Sequence, residues 1–464
     1  MPPENLLGFG AADFFELALA AGLAALAFFA RRSIIRLARK LATKTAWCML
    51  LLALLPIVLR LAMLPRHPIP APEVYDECGH LLVADTLLHF RLSNPTHPLH
   101  QFFESFFVLQ EPSYASIYPI GQGVLLAIGH AMFGSAWAGV LLATGAMCAL
   151  CYWMLRAWTS PEWALLGGML AVIEFGPLNS WMNGYWGGAG AACAGCLVFG
   201  GLPRIRAGSR SLYGALLGLG IGWHWHIRPY ETIFLVLSAL LFLGRDWRWA
   251  ISALYVMIPA IGLTLLQNKA VTGNWTTLPY QLSQYQYGVP AGFTWQSPPE
   301  PHARLTPEQQ MQYNMQLSFR PRGGETIGSY MARLAYRVRY YRFFFLPALY
   351  VALPFFFLKL REWRFVWATL TLALFMLGDN FYGFFEPHYF GALVCLYVLV
   401  SLAGLERIHR LSGDAALLII LLCLAHFVFW YGRSFFVPAA PNQRAQIERR
   451  LLQSPGKQLV LVRY

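Results

Sequence analysis

Thirteen apolar stretches follow one another along this chain of 464 residues, and most approach the length that crosses a lipid bilayer. Only 12% of the residues are charged and 57% are hydrophobic, so a water-soluble fold would expose large apolar patches. The sequence therefore predicts an all-α polytopic membrane protein with about 11–13 transmembrane helices, each needing about 20 mostly apolar residues. The predicted stretches are 11–30, 46–64, 120–133, 136–157, 162–180, 184–202, 211–227, 229–244, 249–266, 342–359, 364–378, 389–404 and 414–431.

Basic residues concentrate in the short loops between these stretches, and this sets the predicted orientation. Cytoplasmic loops of membrane proteins carry an excess of Lys and Arg. The loop that follows residue 30 carries six basic residues, and shorter basic loops follow 202, 244, 359 and 404. The long loops 65–118 and 267–341 then lie on the opposite, outer face. The net charge of +13 is explained by this bias, so no nucleic-acid partner is predicted.

The predicted topology requires one segment that does not cross the membrane. An outer loop 65–118 and a cytoplasmic loop near 203–210 need an odd number of crossings between them, but four apolar stretches lie there. The stretch 120–133 is the shortest and is predicted to be the exception. An amphipathic helix over 79–92 is predicted to lie in the membrane interface, because leucines alternate there with Asp85, His89 and Arg91.

Two parts are predicted along the chain. Residues 1–432 form the transmembrane domain with its two large outer loops, and residues 433–464 form an outer tail. Residues 458–464 alternate between polar and apolar side chains, which is typical of a strand. Two alternatives are expected for the tail, which either begins a soluble domain or docks elsewhere on the protein.

Polar side chains gather at the outer ends of the apolar stretches. Asp76 and Glu77 open the first outer loop, Arg228 and Glu231 lie at a turn between two stretches, and a motif over 379–389 lies at another. An arginine at such a depth is costly unless it is paired or binds an anion. An ion pair between Arg228 and Glu231 at i, i+3 and a capped aromatic belt at 379–389 are the alternative structural explanations.

A metal site is not predicted. The Cys148/Cys151 and Cys193/Cys196 pairs lie inside apolar stretches, where they serve as small packing residues. His224 and His226 are two residues apart and point in different directions on a helix. No cofactor is required by the sequence, and use of a divalent cation stays open.

The order of these features resembles the GT-C superfamily of membrane glycosyltransferases. The likeness rests on Asp76-Glu77 early in the first outer loop, on interfacial helices after it, on Tyr118-Pro-Ile-Gly-Gln-Gly entering the next helix, and on the second large outer loop. In outline the chain is similar to the bacterial aminoarabinose transferase and the protein O-mannosyltransferases. The motifs Arg228-Pro-Tyr-Glu231 and Glu386-Pro-His-Tyr389 look like those of uncharacterised bacterial members.

The resemblance implies transfer of a sugar from a polyprenyl-phosphate carrier to an acceptor outside the cytoplasm, with inversion at the anomeric carbon. It places the enzyme among lipids of a bacterial inner membrane, with its site on the outer face. Asp76 or Glu77 would act as the base on the acceptor, and Asp76 is preferred. The implied substrate-binding residues are Arg228, Tyr230, Glu231, His97, Glu104, Glu111, Tyr118, Glu386 and His388.

The sequence departs from the family pattern beside Tyr118. Related members often carry a lysine and a second proline there, whereas this chain has Ile117 and Ile120. Arg228, Arg320 or Arg322 would then have to contact the donor phosphate. A transporter or lipid flippase is the alternative function, favoured by the glycine-rich stretch 184–201. A scaffold protein is a third option, although it would not need acidic, His and Arg residues on one face.

Overall fold

The fold is almost entirely helical. The structure, a computed structural model, describes residues 10–244, 248–438 and 443–456. Its α-helices, in chain order, are α1 Ala11–Ala42, α2 Thr45–Ala62, α3 Tyr75–Leu88, α4 Gly121–Phe133, α5 Ala136–Leu155, α6 Pro161–Phe175, α7 Gly188–Arg206, α8 Arg210–Trp225, α9 Pro229–Leu243, α10 Arg248–Thr272, α11 Pro279–Tyr287, α12 Pro307–Ser318, α13 Ile327–Arg337, α14 Leu353–Phe356, α15 Trp363–Asp379, α16 Val394–Leu411, α17 Gly413–Phe436 and α18 Gln443–Gln453.

Short 3₁₀ segments and one small sheet complete the architecture. The 3₁₀ segments are His100–Phe102, Val338–Phe344, Pro347–Val351, Phe357–Lys359 and Pro387–Leu393. Strands β1 Val108–Leu109 and β2 Ala115–Ser116 pair antiparallel, with Val108 opposite Ser116. The prediction of an all-α polytopic membrane protein is confirmed.

Six helical segments are long and apolar enough to cross a membrane. They coincide with six of the predicted stretches and are Thr45–Ala62, Ala136–Leu155, Gly188–Arg206, Arg248–Thr272, Pro387–Leu411 and Gly413–Phe436. Helix α4 has 13 residues. At 1.5 Å per residue it is roughly 20 Å long, less than the 30 Å or so of a bilayer core. It therefore cannot cross a membrane alone.

Two predicted boundaries differ from the structure, and a third is not tested by it. The stretch 342–359 is not one helix but a run of 3₁₀ turns and the four-residue α14, because Pro347 and Pro354 remove backbone donors. The helix predicted over 79–92 is α3, which begins at Tyr75 and ends at Leu88. The division at residue 432 stays a prediction; α17 continues to Phe436, and residues 458–464 lie outside the described residues.

The centre of the bundle is formed by α5, α7 and α16, whose side chains are mostly buried. Helix α7 approaches the Pro387–Leu393 segment so closely that a Cβ on Gly195 would lie 1.9 Å from the Ala392 carbonyl oxygen. Only glycine allows this contact. It fixes the Glu386-Pro-His-Tyr389 motif against a central helix.

The two outer loops pack on each other above the bundle. Phe106, Phe107 and Leu109 of the first loop share an apolar cluster with Tyr287 and Val289 of the second. Ser113 Oγ donates a hydrogen bond to the Val271 carbonyl oxygen at 2.9 Å, which ties the first loop to the end of α10. The loops thus form a common roof, of which α12 is a part, over the space next to α3 and α9.

Candidate active site

A cavity of about 810 Å³ lies beneath this roof. This volume is typical of small-molecule sites, and mostly aromatic and aliphatic residues line it together with a few polar groups. The residues predicted from the sequence that line it are Asp76, Arg228, Tyr230, Glu231, Tyr118 and Glu386. They come from four separate parts of the chain. We refer to the part of the wall formed by Asp76, Tyr118, Arg228, Glu231 and Glu386 as the charged wall.

Asp76 faces the cavity because its neighbour Glu77 fixes the start of α3. Glu77 Oε2 accepts hydrogen bonds from the backbone N–H groups of Glu73 and Val74, at 2.7 and 3.3 Å. Its Oε1 accepts one from the Tyr185 N–H at 2.7 Å. Glu77 is buried and is absent from the cavity lining that the described residues form. Its carboxylate is therefore occupied by backbone donors, whereas the Asp76 carboxylate is presented to the cavity.

Tyr118 is the hydrogen-bond partner of Asp76. Its hydroxyl donates to the Asp76 carboxylate. Gly79 makes room for its ring, since a Cβ there would lie 2.9 Å from the ring carbon Cδ2. Burial and the adjacent Asp76 raise the pKa of the Tyr118 hydroxyl, so this group stays a proton donor at neutral pH. The contact holds the carboxylate in one orientation.

Arg228 lies at the N-terminus of α9, stacked on an aromatic ring. Its guanidinium carbon is 3.5 Å from the centroid of the Tyr389 ring. Nε and Nη2 donate to Glu231 Oε1 at 3.1 and 2.5 Å, so the i, i+3 ion pair predicted as an alternative does form. Nη1 has no hydrogen-bond acceptor within the described part of the chain. Arg228 therefore keeps donor capacity for a ligand.

The first turn of α4 connects Tyr118 with Arg228. The backbone N–H of Gly121 donates to the His226 carbonyl oxygen at 2.7 Å. A Cβ at Gly121 would lie 2.6 Å from that oxygen, so glycine is needed for the two turns to meet. This junction brings two motifs that are about a hundred residues apart into one wall.

Electrostatics distinguish the carboxylates of this wall. Burial raises the pKa of Asp76, although the Tyr118 hydrogen bond and the charge of Arg228 act in the opposite direction. Burial and the charge of Asp76 also raise the pKa of Glu386. Burial lowers the pKa of Arg228, but the charge of Glu231 outweighs it and the pKa is raised overall. A carboxylate whose pKa is raised toward neutrality is a stronger base while still ionised.

Three predicted residues of the first outer loop stay outside the cavity. His97 is exposed and its Nδ1 accepts a hydrogen bond from the Leu99 N–H at 3.0 Å. Glu111 is exposed, with Oε1 3.5 Å from His100 Nε2, and Glu104 is partly buried. The loop closes on itself, as Thr96 Oγ1 donates to the Gln110 carbonyl oxygen at 2.8 Å. None of the three is among the described residues that line the cavity.

The other predicted residues take supporting positions. His388 lies behind the cavity wall, with its ring 4.7 Å from that of Trp186, which lines the cavity. Arg320 donates to the carbonyl oxygens of Phe293 and Gln296, and Arg322 is exposed. Of the three arginines considered as phosphate contacts, Arg228 is the one that lines the cavity.

The charged part of the 379–389 motif serves a structural purpose. Arg337 Nη1 lies 3.3 Å from Asp379 Oδ2 and donates to the Asp379 carbonyl oxygen at 2.9 Å. Its Nη2 donates to the carbonyl oxygens of Tyr382, Gly383 and Phe384. These bonds hold α13 against the turn that leads to Glu386.

Sequence reasoning missed several residues of the cavity. Tyr389 was part of a recognised motif, but its stacking on Arg228 depends on the fold. Helix α12 contributes Gln312 and Gln316 to the cavity wall. Its start was readable, because Thr306 caps the helix, Pro307 is its first residue and Gln309 completes a capping box.

Metal binding finds little support in the side chains. Within the described residues, no group of three or more His, Cys, Asp and Glu side chains is arranged to hold a metal ion. The carboxylates Asp76 and Glu386 influence each other, but Tyr118 already occupies one of them. We therefore derive no catalytic step from a cation.

Comparisons with known proteins give one structural likeness. No protein-family model and no curated protein matches the chain. The fold is similar to the crystal structure of the oligosaccharyltransferase of Archaeoglobus fulgidus in its apo form, at 12% sequence identity and a TM-score of 0.46. The alignment covers 89% of this chain and 58% of the oligosaccharyltransferase.

Proposed function

We propose that this chain is a membrane glycosyltransferase that moves a sugar from a polyprenyl-phosphate donor to a hydroxyl or amine acceptor on the outer face of a bacterial inner membrane. The observation that carries the proposal is the charged wall. It presents an oriented carboxylate, Asp76, and the one cationic Lys or Arg side chain among the described lining residues, Arg228, to one cavity. A base and a phosphate contact are what such a transfer needs.

Asp76 is the proposed base. As the acceptor oxygen or nitrogen bonds to the anomeric carbon, the bond from that carbon to the phosphate oxygen breaks, and the acceptor proton passes to Asp76. The products are the glycosylated acceptor and free polyprenyl phosphate. A positioned base contributes typically about 10² to 10⁴ in rate. A single displacement of this kind inverts the anomeric configuration.

Arg228 is the proposed phosphate contact. A planar guanidinium matches phosphate oxygens, and Nη1 is available while Nε and Nη2 hold Glu231. Its stacking on Tyr389 fixes the plane in which a ligand would be met. The leaving phosphate is already ionised, so it requires charge neutralisation more than protonation.

The test is transfer of radiolabelled sugar from a panel of polyprenyl-phosphate donors by the purified full chain, comparing wild type with Asp76→Asn. We expect the substitution to reduce turnover by about 10² or more, since the base is lost. Asp85→Asn is the matched control, because Asp85 lies on the same helix with a side chain that is 66% exposed. It should retain wild-type turnover.

Two results would contradict the proposal. One is an Asp76→Asn variant that turns over as fast as wild type. The other is a lack of turnover on a broad donor and acceptor panel, in which case transport of lipid-linked substrates in vesicles becomes the assay. Retention at the anomeric carbon in the NMR spectrum of the product would exclude the single displacement.

A further inference from the structure

One part of the cavity wall carries amides in place of charges. It is formed by α11, α12 and the loop 290–296, and we refer to it as the amide lobe. Apart from Tyr280, whose hydroxyl pairs with that of Tyr382, its polar side chains are glutamines, neutral groups that can both donate and accept hydrogen bonds. They are Gln281, Gln284, Gln296, Gln312 and Gln316.

Backbone contacts use only part of the hydrogen-bonding capacity of these glutamines. The side-chain oxygens of Gln281, Gln296 and Gln316 accept from backbone N–H groups at 3.1, 2.9 and 3.4 Å. Their side-chain nitrogens donate no hydrogen bond to any described residue. Neither the side-chain oxygen nor the side-chain nitrogen of Gln284 forms a hydrogen bond with a described residue. Several amide donors therefore face the cavity ready for a ligand.

Gln312 is the clearest example of a cavity-lining amide without a hydrogen-bond partner. It is only 4% exposed and lines the cavity, yet its side chain forms no hydrogen bond within the ranges that the structure describes. Gln316 follows at i+4 and so lies on the same face of α12. A polar ligand in the cavity would satisfy both side chains.

The lobe also offers apolar faces and adjoins the charged wall. Phe293 and Phe319 line the cavity beside the glutamines. The ring of Phe293 lies 4.7 Å from that of Tyr230, two residues after Arg228. Amides that pair with hydroxyls, together with aromatic faces that cover C–H surfaces, match an uncharged sugar ring. A carboxylate or ammonium group there would be desolvated without a counter-charge.

We infer that the amide lobe is the sugar subsite of the proposed glycosyltransferase and that it selects neutral, hydroxyl-rich rings over uronic acids and amino sugars. The inference rests on the proposed function and adds to it the class of sugar. The sugar could belong to the donor or to a glycan acceptor, since both present the same hydroxyl chemistry to the lobe.

The test is saturation-transfer NMR of the purified full chain with methyl glycosides, which needs no turnover. We expect the wild type to bind methyl glucoside, methyl galactoside or methyl N-acetylglucosaminide. Methyl glucuronide and methyl glucosaminide should bind at least tenfold more weakly. Gln312→Met and Gln316→Met, which keep the side-chain volume, should each weaken binding of the neutral glycoside at least tenfold.

A matched control and a second variant keep the test decisive. Gln310→Met makes the same change on the same helix at an exposed position outside the cavity lining, and it should bind like wild type. Gln312→Glu keeps the shape and should shift preference toward methyl glucosaminide at least tenfold. Equal binding by all variants, no binding of any neutral glycoside, or equal binding of charged sugars would overturn the inference.

Competition identifies the source of the sugar and separates this inference from the proposed function. If citronellyl-phosphoryl-glucose displaces the methyl glycoside and citronellyl phosphate does not, the lobe holds the donor sugar. If neither displaces it, the lobe holds the acceptor sugar. If the wild type binds neutral glycosides in the lobe but transfers no sugar, only the proposed glycosyltransferase function is contradicted. If the protein transfers sugar but the Gln312 and Gln316 variants bind neutral glycosides like wild type, only the assignment of the amide lobe as the sugar subsite is contradicted.

Discussion

Two regions of the molecule each place an arginine beside a carboxylate at the end of a helix, but they use the arginine differently. At the end of α13, the two Nη atoms of Arg337 have Asp379 and four carbonyl oxygens as partners, so both terminal nitrogens are saturated by the fold. At the start of α9, Arg228 donates hydrogen bonds to Glu231 alone among the described residues, and its Nη1 remains available to the cavity. The number of donors left for a ligand therefore distinguishes the proposed binding arginine from the structural one.

The carboxylates of α3 repeat this contrast over adjacent residues. Glu77 accepts from three backbone N–H groups, whereas Asp76 has one side-chain donor, the Tyr118 hydroxyl, and faces the cavity. If the contrast is correct, substitutions at saturated groups reduce stability and substitutions at cavity groups reduce activity.

The largest expected effect is at the saturated arginine. Arg337→Met should lower the free energy of unfolding by about 3–5 kcal/mol, because Asp379 would be left buried and unpaired. Adding Asp379→Leu should recover part of the loss, but not the part due to the carbonyl contacts. Denaturation in detergent would measure both variants. If Arg337→Met were as stable as wild type, the claim that Arg337 is structural whereas Arg228 is free to bind a ligand would be contradicted.

Glu77→Gln should give the next largest effect on stability. The amide keeps one acceptor oxygen but turns an N–H donor toward backbone donors, at a cost of about 1.5–3 kcal/mol. The control is Asp85→Asn on the exposed side of the same helix, which should be neutral. A Glu77→Gln variant that is as stable as wild type but inactive would instead return Glu77 to the list of catalytic candidates.

Arg228→Lys should affect activity while leaving the fold intact. The charge remains, but the planar group that meets a phosphate is lost, so we expect transfer to fall roughly tenfold, about 1.4 kcal/mol in the barrier. Arg337→Lys is the informative counterpart, since it should reduce stability. The assignment of the two arginines would be contradicted if Arg228→Lys unfolded the protein and Arg337→Lys only reduced the rate of sugar transfer.

The smallest expected effect is a change in pH dependence. The base must be ionised, so activity should fall as pH decreases through the pKa of Asp76, which burial raises. Tyr118→Phe removes a hydrogen bond that lowers this pKa, so the acidic limb of kcat/KM should move to higher pH. Tyr285→Phe, at a residue outside the cavity lining, should leave the limb in place. A limb that moves to lower pH would contradict the assignment of Asp76.

Much of this organisation could be predicted from the sequence. The all-α membrane fold followed from apolar length and low charge, and the four motifs of the charged wall were recognised at the outer ends of apolar stretches. The break at Pro347 and Pro354 was also readable, because proline cannot continue a hydrogen-bonded helix. Apolar composition alone had suggested a continuous span there.

The distinction between Asp76 and Glu77 could not be predicted in this way. It depends on the Tyr185 N–H, a donor that lies 108 residues further along the chain. The glutamines of α12 were missed for a similar reason, since neutral amides carry no signal of charge or periodicity that marks them as facing a cavity. Both depend on how distant segments meet.

The charge of the cavity lining affects how the product would leave after the proposed reaction. The described lining contributes one arginine and three acidic residues, Asp76, Glu231 and Glu386. On the proposed reaction, a phosphodiester with one negative charge enters, and a phosphate monoester of about −1.5 to −2 remains after transfer. Once Asp76 has released the proton taken from the acceptor, a wall so poor in cations repels the polyprenyl phosphate product more than the incoming donor. Release of polyprenyl phosphate would therefore be driven by the excess of acidic over basic side chains in the cavity lining.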